Sequence, residues 1–358
     1  MSTNEAIRLA ILDDYPGIAP KHFQHIAGLK IDSFPETLSP NHKDGLEALI
    51  KRLEPYPIIS TMRERTAFPA ELIQNLPNLK LLLTTGLRNA ALDLPAFSKH
   101  NVIVAGAKGE RPANAAGENE YDLPPPPPHS AVNQHAWALL LSLAGRIPQD
   151  DRALKTSSTA WQNGTNVALA GKTLGLVGLG KLGTAMAKVG VLAFGMKVIA
   201  WSENLTQEKA NAAAEGTGLE KGTFKAVGKE ELFRSADVVS LHLVLSERSR
   251  GVVGEKELGW MKGSAMLLNT SRGPLIDEKA LVEVLKEGRI AGAALDVYDV
   301  EPLPKDSPWR KADEFKSLTV LSPHMGYVNA GTMNRWYEEQ AENVERWLKG
   351  EEVLHKLN

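Results

Sequence analysis

The chain contains no cysteine. That excludes disulfides, thiolate catalysis and cysteine-ligated metals, and it fits a reducing compartment, so a cytoplasmic location is expected. An excess of one charge is also missing. Lys and Arg number 41 against 43 Asp and Glu, a net charge of −2, so nothing in the balance suggests a nucleic-acid or membrane-surface partner. No apolar run has the length of a membrane span, and the first residues lack the basic-then-apolar order of a signal peptide. What remains is a globular composition, 43% apolar and 23% charged, in 358 residues. That length supports two cores and hence two domains.

Apolar segments of strand length alternate with helix-like ones. Strands are expected at 7–12, 57–60, 79–84 and 102–104, with helices at 45–53 and 69–76 between them. The rhythm breaks at 105–130, a segment rich in Gly, Ala and Pro. Its five consecutive prolines, 124–128, favour a polyproline II spacer. A helix at 131–144 follows, read as a connector. Six further strands are expected at 174–177, 197–201, 238–241, 265–268, 293–295 and 319–321. The clearest helix among them, 278–287, is closed by Gly288. A last amphipathic helix, 330–348, carries Trp336, Tyr337 and Trp347, read as packing residues. The pattern predicts an α/β chain with two doubly wound parallel sheets.

Gly178-Leu179-Gly180-Lys181-Leu182-Gly183 is the sharpest local signal. It closes the apolar run 173–177 and opens a helix-like stretch, 184–194. In a G-x-G-x-x-G turn the first glycine permits the bend and the second lets backbone approach a pyrophosphate. The third lets helix and strand pack closely. The helix start then offers free N–H groups to that anion.

Ligands of open parallel sheets bind beyond the carboxyl ends of the strands. There the sequence puts Ser202, Glu203 and Asn204, then His242, then Asn269, Thr270, Ser271 and Arg272, then Asp296 and Glu301, then Ser322 and His324. Singly, each has an ordinary structural explanation, such as Arg272 as a surface residue before a turn. Together they offer a cation, carboxylates and an imidazole on one edge. A dinucleotide supplies hydride. Ketone reduction then needs a proton donor, and histidine, with an unperturbed pKa of ~6.5, suits neutral pH. A neighbouring carboxylate orients it. An arginine can polarise the carbonyl and hold an adjacent carboxylate through its planar fork. That set fits a 2-oxo acid.

These motifs resemble the D-isomer-specific 2-hydroxyacid dehydrogenases. The similarity runs from about residue 77 to 350. It rests on Gly175-Leu176-Val177-Gly178-Leu179-Gly180-Lys181-Leu182-Gly183 and on Leu268-Asn269-Thr270-Ser271-Arg272-Gly273-Pro274-Leu275-Ile276-Asp277. It continues in Leu295-Asp296-Val297-Tyr298, in Glu301-Pro302 and in Ser322-Pro323-His324-Met325-Gly326. The resemblance implies a Rossmann-like cofactor domain, 131–325, inserted into a substrate domain made of 1–130 and a returning helix in 326–358. It implies reversible hydride transfer between NAD(P)H and a 2-oxo acid, giving a D-2-hydroxy acid, in a homodimer without a metal. Arg272 would bind the substrate's carboxylate and carbonyl. Glu301 would pair with His324, the general acid and base. Asp296 would meet the nicotinamide carboxamide. Gly178, Gly180, Lys181, Leu182, Gly183, Ser202, Glu203, Asn204, His242 and Thr270 would line the cofactor, and the backbone at Leu87 and Arg88 would hold the substrate carboxylate.

The chain departs from the family in places. Its substrate loop reads Gly86-Leu87-Arg88-Asn89-Ala90-Ala91, with Arg88 near a position usually held by glycine. Arg88 either adds charge to the pocket or faces solvent; Arg63 and Arg65 pose the same question. The segment before Ala131 is longer than in most relatives. The chain ends soon after its last helix, without room for the regulatory domain of many phosphoglycerate dehydrogenases, which points away from that assignment. Formate dehydrogenases carry glutamine where Glu301 stands. At the ribose position Ser202 replaces the usual acid, while no arginine follows and Lys209 is the nearest cation. NAD(H) is the favoured cofactor, with NADP(H) open. The competing expectation is a dinucleotide-sensing corepressor on the same fold.

Overall fold

The computed structural model describes residues 6–41, 43–109, 130–159 and 161–358. The five prolines and most of the 105–130 insertion lie outside the described residues. The chain divides into two compact units, Met1–Leu123 with Asn329–Asn358, and Pro124–Val328.

In the first unit five parallel strands form one sheet: β1 (Ile7–Leu12), β2 (Leu29–Phe34), β3 (Ile58–Thr61), β4 (Leu81–Thr85) and β5 (Ile103–Ala107). Their order is β2-β1-β3-β4-β5. β3 and β4 are buried at every position, as in a parallel sheet covered on both faces. β2 has no counterpart among the predicted strands. It lies at the edge, is largely half-exposed and carries Lys30, Asp32 and Ser33 in place of an apolar run. A polar network supports it: Arg8 Nη2 and the Tyr56 hydroxyl donate to Asp32 Oδ2 at 2.8 and 2.9 Å. The final helix, Ala330–Leu348, packs on β4 and β5. It buries Trp336, Tyr337 and Glu339, whose carboxylate accepts the N–H groups of Lys108 and Gly109 at 2.6 and 3.1 Å.

The second unit holds seven parallel strands, not the six expected. They are β6 (Thr173–Val177), β7 (Lys197–Trp201), β8 (Phe224–Ala226), β9 (Val238–Leu241), β10 (Met266–Asn269), β11 (Gly292–Leu295) and β12 (Leu318–Leu321). The extra strand, β8, has three residues, too few to show a period. It sits at the edge, where the Gln207 amide stands in for a neighbouring strand: Oε1 accepts from Ala226 N and Nε2 donates to Phe224 O, both at 2.9 Å. The order is β12-β11-β10-β9-β6-β7-β8. The chain leaves β6 for β7 on one side and later returns to β9 on the other, so β6 and β9 flank the switch point where such sheets open a crevice. Helix Ala131–Ala144 packs on β10, β11 and β12 and brings Trp137 and Leu140 into the core with Leu174, Leu176 and Met186.

Helix Lys181–Phe194 begins three residues before the predicted 184–194 stretch. Gly183, in its first turn, sets how closely that helix sits on β6. A Cβ there would stand 2.2 Å from Gly178 O, whereas a Cβ on Gly180 would meet nothing within 4 Å. Gly183→Ala must therefore move backbone against backbone, a cost of about 1–3 kcal/mol. Gly180→Ala should cost under about 1 kcal/mol, since only the cap preference changes. Urea unfolding of the two variants checks the ranking; equal losses would contradict it.

Candidate functional site

The glycine turn builds one wall of the switch-point crevice. Gly178 has φ +106°, and a Cβ there would lie 2.8 Å from His242 O. Only glycine takes that conformation at that spacing without cost. The next helix starts at Gly180 with no side-chain cap. Helices starting after Ser130, Thr206, Asp277 and Asn329 each have one. The N–H groups of its first turn therefore have no capping side chain, and open space stands over Gly180. Lys181 adds an exposed cation and Leu182 is half-buried. An uncapped helix start with open space over a glycine fits a pyrophosphate.

At the exit of β7, Ser202 is half-buried while Glu203 and Asn204 are exposed. Leu205 N donates to Ser202 O at 3.0 Å, closing a turn. Lys209 is occupied, its Nζ donating to Asn204 O at 2.7 Å. At the exit of β9, His242 Nε2 lies 2.8 Å from Ser240 Oγ. Burial pushes its imidazole down to about 4, so the ring beside the glycine turn is neutral at pH 7.

The exit of β10 carries Asn269 to Arg272. Ser271 Oγ donates to Leu241 O at 2.8 Å, tying this exit to that of β9. Asn269 Nδ2 donates to Arg272 O at 2.9 Å, and Arg272 Nη1 donates to Ser271 O at 2.8 Å. Thr270 and Arg272 are both half-buried. A Cβ on Gly273 would collide with Tyr298 C at 2.0 Å, so the Arg272 turn rests on the backbone that follows β11.

That backbone leads to a carboxylate–imidazole pair. Glu301 Oε1 accepts from Tyr298 N at 2.9 Å, and Glu301 Oε2 lies 2.6 Å from His324 Nδ1. Both side chains are 19% exposed, shielded yet accessible. An ionised Glu301 only accepts, so Nδ1 carries the shared proton and Nε2 is left for other partners. The Tyr327 ring meets the imidazole edge-on, with centroids 5.2 Å apart. His324 has φ +57°, a left-handed backbone that costs a non-glycine residue of order 1 kcal/mol and persists only where its surroundings enforce it.

Asp296 supplies that enforcement. It is 1% exposed and accepts hydrogen bonds from His135 Nε2 (3.1 Å), Ser322 Oγ (2.5 Å), Met325 N (2.7 Å) and Gly326 N (2.9 Å). Burial works to raise its carboxyl, but the four donors, His135 first, outweigh it and hold the group below the usual carboxylate range. The Tyr298 hydroxyl donates to Ser322 O at 3.0 Å; burial and the nearby Asp296 and Glu301 carboxylates push this phenol up, so it keeps its proton.

Leu87 and Arg88 belong to the first unit, where both are exposed. Their loop is pinned by Asn89, whose Nδ2 donates to Arg63 O at 2.7 Å and to Thr84 Oγ1 at 3.0 Å. Sequence reasoning missed His135 and Tyr327. His135 follows Asn133 and Gln134 in the first turns of its helix, so nothing in the sequence sets it apart from its polar neighbours. Tyr327 follows the histidine motif without any signal of its own.

The neutral state of His242 gives a pH prediction. The unfolded imidazole takes a proton near pH 6.5, the folded one not until about 4, so between these values the unfolded state binds more protons and stability falls as pH falls. From pH 7.5 to pH 5 the wild type should lose about 2 kcal/mol more unfolding free energy than His242→Gln. Equal losses in urea titrations would contradict the assignment.

Residues 137–326 match the family described as D-isomer specific 2-hydroxyacid dehydrogenase, NAD binding domain. The chain is 34% identical over 288 residues to a glyoxylate reductase of Thermococcus litoralis, covering 78% of this chain and 77% of that protein. It is 30% identical over 312 residues to a D-3-phosphoglycerate dehydrogenase of Archaeoglobus fulgidus, covering 87% of this chain but 53% of that protein, so it spans about half the length of this relative. A crystal structure of a phosphoglycerate oxidoreductase from Vibrio cholerae superimposes with a TM-score of 0.78 at 30% identity, covering 96% of this chain and 99% of that one. With a dinucleotide cradle, a carboxylate–imidazole pair and an arginine on one sheet edge, and with these similarities, the chain belongs to the D-isomer-specific 2-hydroxyacid dehydrogenase family.

Proposed function

We propose that the chain catalyses the reversible reduction of a 2-oxo acid to the (2R)-hydroxy acid with a nicotinamide dinucleotide. The observation that carries this reading is the 2.6 Å Glu301–His324 pair, followed in space by the Arg272 turn, at the edge that holds the glycine cradle. The pyrophosphate would rest on the N–H groups of Lys181, Leu182 and Gly183. When bound, the nicotinamide supplies the hydride. Arg272 holds the substrate carboxylate and polarises the adjacent carbonyl. His324, protonated on both ring nitrogens before reduction, gives the Nε2 proton to the carbonyl oxygen and is left neutral with its proton on Nδ1; in the oxidative direction Nε2 takes the proton back. Glu301 keeps Nδ1 protonated and the ring oriented. Among the described residues Asp296 Oδ2 accepts one hydrogen bond, and it has capacity for the carboxamide. His242 and Thr270 border the same pocket; within the first unit, the backbone at Leu87 and Arg88 is the part assigned to the substrate. The unit Pro124–Val328 is thus the cofactor domain, and the other the substrate domain.

NAD(H) is the favoured cofactor because no arginine follows Ser202 and Lys209 is held by Asn204 O. Ser202 in place of an acid favours NADP(H) as the second reading, since the carboxylate that usually repels a 2′-phosphate at that position is missing, although Glu203 follows it. Leu141, Ile147, Leu154 and Trp161 are exposed apolar residues of the cofactor domain, Trp161 by 75%, and they are assigned to the interface of a homodimer.

Two experiments check these assignments. With NADH or NADPH and a panel of 2-oxo acids, the wild type should turn over, and His324→Ala and Arg272→Ala should fold but lose about 10²–10⁴-fold in kcat/KM. Wild-type rates in both variants would overturn the mechanism, and tight dinucleotide binding without turnover would favour the corepressor. In sedimentation velocity the wild type should run as a dimer and Trp161→Asp as a monomer; an unchanged dimer would contradict the interface.

A further inference from the structure

We propose that His135 is a positioning residue for the acid–base histidine, acting through Asp296. This rests on the role given to His324 above. His135 reaches neither the glycine cradle nor the Glu301–His324 pair by a hydrogen bond. Among the described residues its side-chain partners are Asp296 Oδ1 at 3.1 Å and Ser322 Oγ at 3.0 Å.

The chemistry of these groups sets the protons. Asp296 is held ionised and can only accept. The Ser322 hydroxyl directs its proton to Asp296 Oδ1. The proton between His135 and this pair therefore sits on His135 Nε2, shared between two oxygens. His135 is also the only Lys, Arg or His side chain within 4 Å of the Asp296 carboxylate among the described residues. Without it, a carboxylate buried to 1% exposure loses a donor that offsets its desolvation.

The carboxylate that His135 steadies brackets the acid–base residue. It accepts the amides of Met325 and Gly326, which directly follow His324, and the hydroxyl of Ser322, two residues before it. Between these anchors His324 keeps its left-handed backbone. The helix carrying His135 also packs on the loop: a Cβ on Gly326 would lie 3.1 Å from Asp296 Oδ2, 3.6 Å from Val132 and 3.9 Å from His135. A tilted or hydrated Asp296 would release both amides and let the imidazole drift. Misplacement by about 1 Å is enough to cost up to about 10²-fold in rate.

The test uses the full chain with His135→Ala, His135→Asn and His135→Gln. Glutamine places an amide N–H near the position of Nε2; asparagine falls short. Amide hydrogen exchange at Met325 and Gly326, without substrate, should be about 10-fold faster in the Ala and Asn variants and return towards wild type in the Gln variant. In parallel, kcat should fall about 10–100-fold with Ala and Asn and recover with Gln. KM for the oxo acid should stay within about 2-fold, the split expected of a residue that places the proton donor without binding the oxo acid. If the Ala variant does not fold, the Asn–Gln pair carries the comparison. Wild-type exchange at both amides, or a Gln variant as impaired as Asn, overturns the proposal. That result with an active wild type leaves the dehydrogenase reading intact, whereas an inactive wild type with faster exchange in the variants removes that reading and keeps the Asp296 anchor.

Discussion

Every strand of the larger sheet runs the same way, so all seven carboxyl ends meet one edge. This constraint organises the rest of the second unit. Residues more than a hundred positions apart, from Gly178 to His324, become neighbours without any loop having to reach for them. The cost is that loops at that edge must hold polar groups in a partly dry place. The unit meets it by cross-linking the loops. Ser271 bonds the exit of β9, Gly273 rests on Tyr298, Tyr298 N holds Glu301, and the Tyr298 hydroxyl holds Ser322. The site is a set of strand ends made rigid by one another.

Within that set Asp296 has an unusual share. Among the described residues Asp296 has no lysine or arginine partner, and a buried carboxylate in that position is expensive unless donors surround it. Four do, and two are backbone amides of the His324 loop. The same hydrogen bonds that keep the group ionised also offset the strain of the left-handed backbone beside it. Stability and chemical readiness therefore draw on the same contacts, and substitutions of Asp296 will disturb both.

Much of this was legible in the sequence, and the limits are physical. The glycine turn could be read because its spacing is local and the backbone geometry it demands excludes other residues. Buried parallel strands announce themselves as continuous apolar runs, so the predicted 197–201 and 238–241 coincide with β7 and β9. The edge strands β5 and β12 were read in the same way, whereas β2 went unseen because its surface is half-exposed and polar, and β8 because it has only three residues. Once strand ends were known, Arg272, Glu301 and His324 could be placed on one edge, but their roles came from family likeness. The 2.6 Å contact depends on how two loops fold back. His135 was out of reach because its partner lies 161 residues away and helix periodicity does not say which of the adjacent polar side chains, Asn133, Gln134 or His135, meets a carboxylate.

The most direct measurement is a crystal structure of the complex with dinucleotide and oxamate, an unreactive mimic of a 2-oxo acid. His324 Nε2 should lie within about 2.6–3.2 Å of the oxamate carbonyl oxygen, with Arg272 on its carboxylate. Oxamate bound away from both side chains, or held with His324 Nε2 turned from the carbonyl, would contradict the assignment of this edge as the place where the proton moves.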